Sequence, residues 1–500
     1  MHYNSTRDKH ISVPSAEAIV TGLAPDGGLF VPEDIPSVTL ENIDKLKAKT
    51  YNERACYLLS LFLDDFEQKE IKECVNLAYS KEKFETDNIA PIYKLDKTTY
   101  FLELWHGPTS AFKDVALQLL PHLLTKAIKK CGVNKECVIL VATSGDTGKA
   151  ALEGFKDVAG TRIFVFYPER GVSEMQKLQM VTQEGNNVGV ASVNGNFDDA
   201  QTGVKKIFGD AEYAKALEVN GFMLSSANSI NWGRLVPQIV YYFSAYVDLL
   251  KSGEINLGDK INFVVPTGNF GNILAAYYAK RMGLPVGKLI CAANENNVLT
   301  EFIKTGTYDR NRKFFTTISP SMDILISSNL ERLLYDMVGG DANSIKNWMS
   351  ELSENGAYTV PQIVSQKISD VFWSGHCDDN ATKETIKSVD EQYSYVIDTH
   401  TAVGKNVYDQ YVAETGDQTK TVIASTASPF KFNQSVLIAL EGMASVAGKN
   451  EFELLGKLSE RSGMRIPKPL LELKDKSRLF GIKCEKQQMQ QIVSEFLQVE

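Results

Sequence analysis

Short apolar runs separated by stretches with helical spacing recur along most of the chain. The runs are Val138-Ile139-Leu140-Val141-Ala142, Ile163-Phe164-Val165-Phe166, Phe263-Val264-Val265, Leu289-Ile290-Cys291-Ala292 and Val422-Ile423-Ala424. Each is short and unbroken, without polar alternation, as expected of a strand covered on both faces. Such strands alternating with helices predict parallel sheets with covering helices, an α/β fold. Residues 1 to about 95 read differently: a turn-rich segment, Gly22-Leu23-Ala24-Pro25-Asp26-Gly27-Gly28-Leu29-Phe30-Val31-Pro32, precedes helical patterns and predicts an N-terminal accessory domain. The polar stretch from about 340 to 395 carries mixed helical patterns, and the tail from about 450 holds an amphipathic run ending in Gln487 to Leu497.

At 500 residues, with 43% hydrophobic and 23% charged residues, the chain has the usage of a multidomain globular protein. Its formal charge of −9, with no basic block, argues against a nucleic-acid partner. No run approaches the roughly 18 apolar residues of a membrane span, and Met1 to Arg7 lacks the order of a signal peptide. A cytoplasmic protein without a membrane partner is expected. The seven scattered cysteines form no Cys-x-x-Cys pair, so neither a disulfide framework nor a metal site is indicated.

Lys113 is the first candidate for chemistry. Gly107-Pro108 marks a turn, and Val115-Ala116-Leu117-Gln118-Leu119-Leu120 recurs with helical spacing, which puts Lys113 near a helix N-terminus. There the helix dipole disfavours an ammonium and favours the neutral amine, the form that attacks carbonyls. Read alone, the segment also suits a solvated surface charge beside Asp114, the commoner case.

Four loops could hold anions. Pro266-Thr267-Gly268-Asn269-Phe270-Gly271-Asn272 follows a buried-type strand and opens an apolar helix expected over Ile273 to Met282, the arrangement that aims backbone N–H groups at a phosphate. Ala142-Thr143-Ser144-Gly145-Asp146-Thr147-Gly148 is a second such loop and a near miss for the Walker A motif; its plainer reading is a capped helix start in which Ser144 and Thr147 satisfy backbone donors. In the third, Asn228, Ser229 and Asn231 precede Arg234, whose guanidinium could clamp a phosphoryl or carboxylate group or simply pair on the surface. The fourth, Ser425-Thr426-Ala427-Ser428-Pro429, presents hydroxyls at a strand C-terminus, where open α/β sheets bind ligands.

Taken together, these segments resemble the threonine synthases, pyridoxal-phosphate enzymes of the tryptophan-synthase β (fold type II) group, over most of the chain. Ser5-Thr6-Arg7, the 22–32 segment, His106 to Asp114, Thr143 to Gly148, Gly195-Asn196-Phe197-Asp198-Asp199-Ala200-Gln201 and Gly268 to Asn272 carry the resemblance. It implies two open α/β domains with mostly parallel sheets plus the N-terminal accessory domain over 1–95: a large cofactor domain over 96–136 and 225–500, with a helical C-terminal region, and a small α/β domain over 137–224. It implies that Lys113 carries pyridoxal 5'-phosphate as a Schiff base, that Gly268, Asn269, Phe270, Gly271 and Asn272 hold its phosphate, and that Thr426 bonds the pyridine nitrogen. Asn228, Ser229 and Arg234 would bind the phosphate of O-phospho-L-homoserine, while Ser144 and Thr147 would hold its α-carboxylate. The implied activity is conversion of that substrate and water into L-threonine and phosphate, by a monomer or homodimer.

Two positions depart from the family pattern. Ser428 stands where many relatives have histidine, which puts proton transfer there in doubt, and Asp8 stands where glycine is usual. Asp146 has no assigned role, because a carboxylate near the cofactor's phenolate oxygen would repel it unless a proton is shared. Two alternatives stay open: a phospho-lyase releasing 2-oxobutyrate, and a non-catalytic homologue that binds pyridoxal phosphate.

Overall fold

The computed structural model describes all residues except 144, 171 and 500. Every apolar run becomes a strand. Six strands form the larger sheet in the order Phe372–His376, Val286–Ala293, Ile261–Pro266, Thr421–Ser425, Thr99–Glu103, Ile92–Lys94, parallel except for the last, which pairs antiparallel with Thr99–Glu103. Five parallel strands form the second sheet: Ile482–Cys484, Val188–Val193, Thr161–Pro168, Glu136–Ala142 and Phe222–Ser225. The central strands are buried along almost their whole length, which is why they read as unbroken apolar runs.

The N-terminal segment makes a three-stranded antiparallel sheet, with His2–Ser5 between Ser12–Pro14 and Phe30–Pro32, followed by helices such as Tyr51–Ser60. It has no core of its own. Tyr3, Ile19, Phe30, Leu58 and Phe62 belong to the same apolar cluster as Trp232, Val265 and Leu289. Trp232 is the centre of this join, with ring centroids of Tyr3, Phe62 and Tyr278 at 5.2, 5.6 and 5.7 Å. A buried ionic contact adds direction: Glu331 receives Thr6 Oγ1 at 2.5 Å and two nitrogens of Arg7 at 2.9 and 2.8 Å. The Ser5-Thr6-Arg7 motif is thus a tether. Asp8 accepts the amide of His10 at 2.9 Å and shapes the turn that follows.

The expected division needs two corrections. The edge strand Ile92–Lys94 lies within residues 1–95 yet belongs to the larger sheet. The tail does not stay with the large unit: Ile482–Cys484 pairs with Val188–Val193, and Val493 and Leu497 fill the core of the smaller sheet. The strand is three residues long with two of them exposed, so it leaves no apolar run to read.

Gly195 to Gln201 is a helix start: Asn196 caps Phe197–Gly209, and a side chain on Gly195 would meet Asp199 at 2.6 Å. No helix among the described residues is long and apolar enough to cross a membrane.

Candidate active site

Thr99–Glu103 and Thr421–Ser425 are neighbours in the larger sheet, and the loops leaving their C-terminal ends pair with each other. Phe112 N–H donates to Thr426 O at 2.8 Å, Ser428 N–H donates to Ser110 O at 3.0 Å, and Ala111 bridges Ala427. Ser110 has φ 58°, a left-handed conformation fixed on both sides by these contacts. Asp114 folds back to accept the amide and hydroxyl of Thr109 at 2.8 and 2.7 Å, and it leaves no room for a side chain on Gly107. The result is to fix Lys113 at the first position of the helix Lys113–Leu117 and against the 425–429 loop.

Lys113 is not a surface charge. Its side chain is 11% exposed, and its pKa is lowered to about 8, principally by burial; Asp146 opposes the shift, while the positive charges of Arg234 and Lys431 add to it. Burial and neighbouring cations, more than the dipole of a five-residue helix, are therefore the cause.

Facing Lys113 is Asp146, at the start of the helix Asp146–Phe155. Its carboxylate accepts from Lys431 Nζ and Gln176 Nε2 at 2.8 Å each and from Ser321 Oγ at 2.9 Å, with Lys113 Nζ at 3.9 Å. Burial alone would raise its pKa. Lys431 and Lys113, with the bond from Gln176, outweigh that and hold it far below the usual carboxylate range. Asp146 is thus an ionised counter-charge. Thr147 is half-buried, and among the described residues it is Thr143 Oγ1 that accepts from backbone donors of the loop, Gly145 and Gly148, at 2.9 Å each. Ser144 lies outside the described residues.

The loop at 266–272 opens the helix Gly271–Arg281. Phe270 adopts φ 60°, and among the described residues no side chain caps the helix, so its first-turn backbone donors have no side-chain acceptor at the cap. The loop is held from behind. Ser327 Oγ donates to Gly268 O at 2.7 Å, and Asn329 donates to Asn269 O through its amide nitrogens at 3.2 and 3.1 Å. Asn272 Oδ1 accepts from Tyr241 and Tyr242 at 2.5 and 2.6 Å, while its Nδ2 is buried without a partner among the described residues. An uncapped helix start and an unpaired buried donor suit an anion.

Arg234 sits in the first turn of the helix Trp232–Lys251 and is 5% exposed. Its Nη1 donates to Ala227 O at 2.8 Å, and no carboxylate among the described residues lies within salt-bridge distance. Burial lowers its pKa to about 10. Asn228 is exposed and Ser229 half-buried, and Ser229 Cβ lies 3.8 Å from the point where a side chain on Gly271 would begin, so this loop abuts the 266–272 loop. Thr426 is buried beside Lys113, with its carbonyl engaged by Phe112. Lys113 and Lys431 thus face one ionised carboxylate, Asp146, and the buried Arg234 is near enough to Lys113 for its charge to lower the lysine's pKa. Such a pocket calls for anionic ligands.

Several members escaped notice in the sequence. Lys431, within the Ser428-Pro429-Phe430-Lys431-Phe432 run, was legible as a motif but not as the partner of Asp146. Gln176 and Ser321 lie in segments without motif or periodicity. His400 accepts Ser321 N–H at 3.1 Å and is itself held by Asp398, at the buried start of the helix Thr399–Thr415.

A lysine at the end of a parallel sheet, facing an uncapped helix start across a cationic pocket, is the constellation of a fold type II pyridoxal-phosphate enzyme. The family model described as "Pyridoxal-phosphate dependent enzyme" matches residues 84–362, and those for "Threonine synthase N terminus" and "Threonine synthase, C-terminal" match 2–79 and 401–466. The chain belongs to the threonine synthase family. It is 38% identical to the threonine synthase of Saccharomyces cerevisiae, over 91% of this chain and 93% of that one. Its fold matches the PLP-bound threonine synthase of Brucella melitensis with a TM-score of 0.87 at 37% identity, covering 99% and 98% of the two chains. It is also 42% identical to "Threonine synthase-like 1" of Homo sapiens, over 85% of this chain; there it spans only 58% of the relative's length.

Proposed function

We propose that the protein converts O-phospho-L-homoserine and water into L-threonine and phosphate, in the cytoplasm, as a monomer or homodimer with no nucleic-acid or membrane partner. One observation carries the reading: Lys113, with its pKa lowered to about 8, lies in a pocket whose cations exceed its ionised carboxylates. Pyridoxal phosphate, when bound, supplies an electrophilic carbonyl and an electron sink. Gly268, Asn269, Phe270, Gly271 and Asn272 would hold its phosphate, and Thr426 would offer a hydroxyl to the ring nitrogen, a partner that does not force protonation there. Asp146, already paired with Lys431, would be a charge-compensated carboxylate beside the ring oxygen and would not repel it.

The same pocket suits a substrate with two anionic ends. Arg234, with Asn228 and Ser229, would grip the γ-phosphate and assist its departure. Thr147 and the donors of its loop, with Ser144, would hold the α-carboxylate. Lys113 would take protons from Cα and Cβ as phosphate leaves Cγ, a proton would be returned to Cγ to make the methyl group, and water would then add at Cβ. Purified protein supplied with O-phospho-L-homoserine should release phosphate and threonine in equal amounts, and Lys113→Ala should abolish both. Phosphate release without threonine would sink the reading.

A second reading rests on Ser428. Its hydroxyl is fully buried and has no hydrogen-bond partner among the described residues, and it cannot replace an imidazole in proton transfer. If water addition depends on that position, the products become phosphate, ammonia and 2-oxobutyrate, which the same assay distinguishes. A homologue that only binds the cofactor would turn over nothing.

A further inference from the structure

Ser321 occupies a position between the reacting amine and its counter-charge. Its Oγ lies 3.3 Å from Lys113 Nζ and donates at 2.9 Å to Asp146 Oδ2. A hydroxyl has one proton, and this one is committed to the carboxylate. Ser321 therefore shows Lys113 only lone pairs, so an N–H of Lys113 must point at it. In the neutral amine, the nitrogen lone pair is then turned away from Ser321 and Asp146.

The backbone of Ser321 is fixed as tightly as its side chain. Its N–H donates to His400 Nε2 at 3.1 Å, which leaves the proton of that ring on Nδ1, directed at Asp398 Oδ2 2.9 Å away. His400 and Asp398 are buried, and the ring of Phe432 packs on the imidazole at 4.8 Å. On its other side the Ser321 carbonyl abuts the 266–272 loop, where a side chain on Gly268 would approach it to 2.7 Å. One residue thus touches the amine, the counter-charge and the phosphate loop. The charged groups facing it are Lys113, Asp146 and, behind His400, Asp398 and Asp323.

We propose that Ser321 is a directing residue for Lys113: it fixes which face of the amine is nucleophilic, and the Asp398–His400 pair is the positioning device that holds it. This rests on the reading of Lys113 as the lysine that takes up the cofactor. The test uses full-length apoprotein given pyridoxal phosphate, with total binding measured by equilibrium dialysis. Covalent capture is followed separately, by visible absorption and by mass analysis of the Lys113 peptide after borohydride reduction. Ser321→Ala should bind the cofactor comparably but capture it about tenfold more slowly, the loss of one hydrogen bond to a charged or polar centre. Ser321→Thr, which keeps the hydroxyl, should restore the rate, and His400→Leu should slow it to a lesser degree. Capture by Ser321→Ala at the wild-type rate overturns the inference. Should that variant not fold, Ser321→Cys carries the same comparison, because its thiol is a poor hydrogen-bonding substitute of similar size. A wild-type protein that binds but never captures at Lys113 would instead overturn the reading of the lysine.

Discussion

Lys431 Nζ lies 2.8 Å from Asp146 Oδ1, and neither side chain reaches solvent. The pair joins the 425–432 segment of the larger sheet to the first helical turn of the smaller one, so the charge balance of the pocket is also a link between the two sheets. Removing Lys431 leaves Asp146 buried with only Lys113, 3.9 Å away, as a counter-charge. Lys431→Met should destabilise the protein by about 3–5 kcal/mol in chemical denaturation, and adding Asp146→Asn should recover most of the loss. Recovery of none of it would mean that the two residues act independently.

The same pair sets an acid limit. Asp146 is held far below the usual carboxylate pKa, so its contribution to stability is complete above the unfolded value of about 3.9 and declines as pH falls below it. In Lys431→Met the carboxyl should protonate at higher pH, and the acid-unfolding midpoint should rise. Denaturation at a series of pH values reads this directly.

Lys113 should give a distinct pH signature. With a pKa near 8, capture of pyridoxal phosphate by the apoprotein should increase up to about pH 8 and then level off, instead of rising to the ordinary lysine value of about 10.4. Arg234→Met removes a nearby positive charge and should move that midpoint up. Asp146→Asn removes the negative one and should move it down.

Arg234 should reveal itself through the substrate. Because its guanidinium is buried with only a carbonyl partner, Arg234→Met should raise KM for O-phospho-L-homoserine and weaken inhibition by inorganic phosphate, each by about ten- to a hundredfold, while the fold is retained. Steady-state kinetics with phosphate as inhibitor separates this from a loss of cofactor.

Two neighbouring glycines should respond unequally. A side chain on Gly268 would meet the carbonyl of Ser321 at 2.7 Å, whereas one on Gly271 first meets Asn329 Nδ2 at 3.3 Å, the end of a side chain that can shift. Gly268→Ala should therefore weaken pyridoxal-phosphate binding more than Gly271→Ala in fluorescence titration.

What was legible in the sequence follows from how the parts are held. Strands such as Ile261–Pro266 are buried on both faces, so the run Phe263-Val264-Val265 is unbroken and apolar and the pattern could be read. The loops at their ends carry glycine, asparagine and hydroxyl residues for backbone reasons, and these mark themselves. Ser321, Gln176 and His400 gave no such sign, because they reach the site through side-chain contacts between segments distant in sequence: Ser321 meets Asp146 across 175 residues and His400 across 79. No local period encodes that. The pKa of Lys113 shows a similar limit, since helix position suggested the direction but its causes are burial and then the charges of Arg234 and Lys431, all supplied only by the fold.

The return of Ile482–Cys484 to the smaller sheet gives that sheet a history as well as a shape. Four of its strands emerge within residues 136–225, yet the fifth must wait for a segment about 290 positions farther on, as the contact from Ser192 to Ile482 measures. During synthesis the edge at Val188–Val193 stands open while the entire larger sheet is being made, and the apolar positions under Val493 and Leu497 stay uncovered. The smaller sheet can therefore be completed only after the strands of the larger one have been made, and an unpaired parallel edge is a surface that a ribosome-bound chain must keep from meeting another copy of itself.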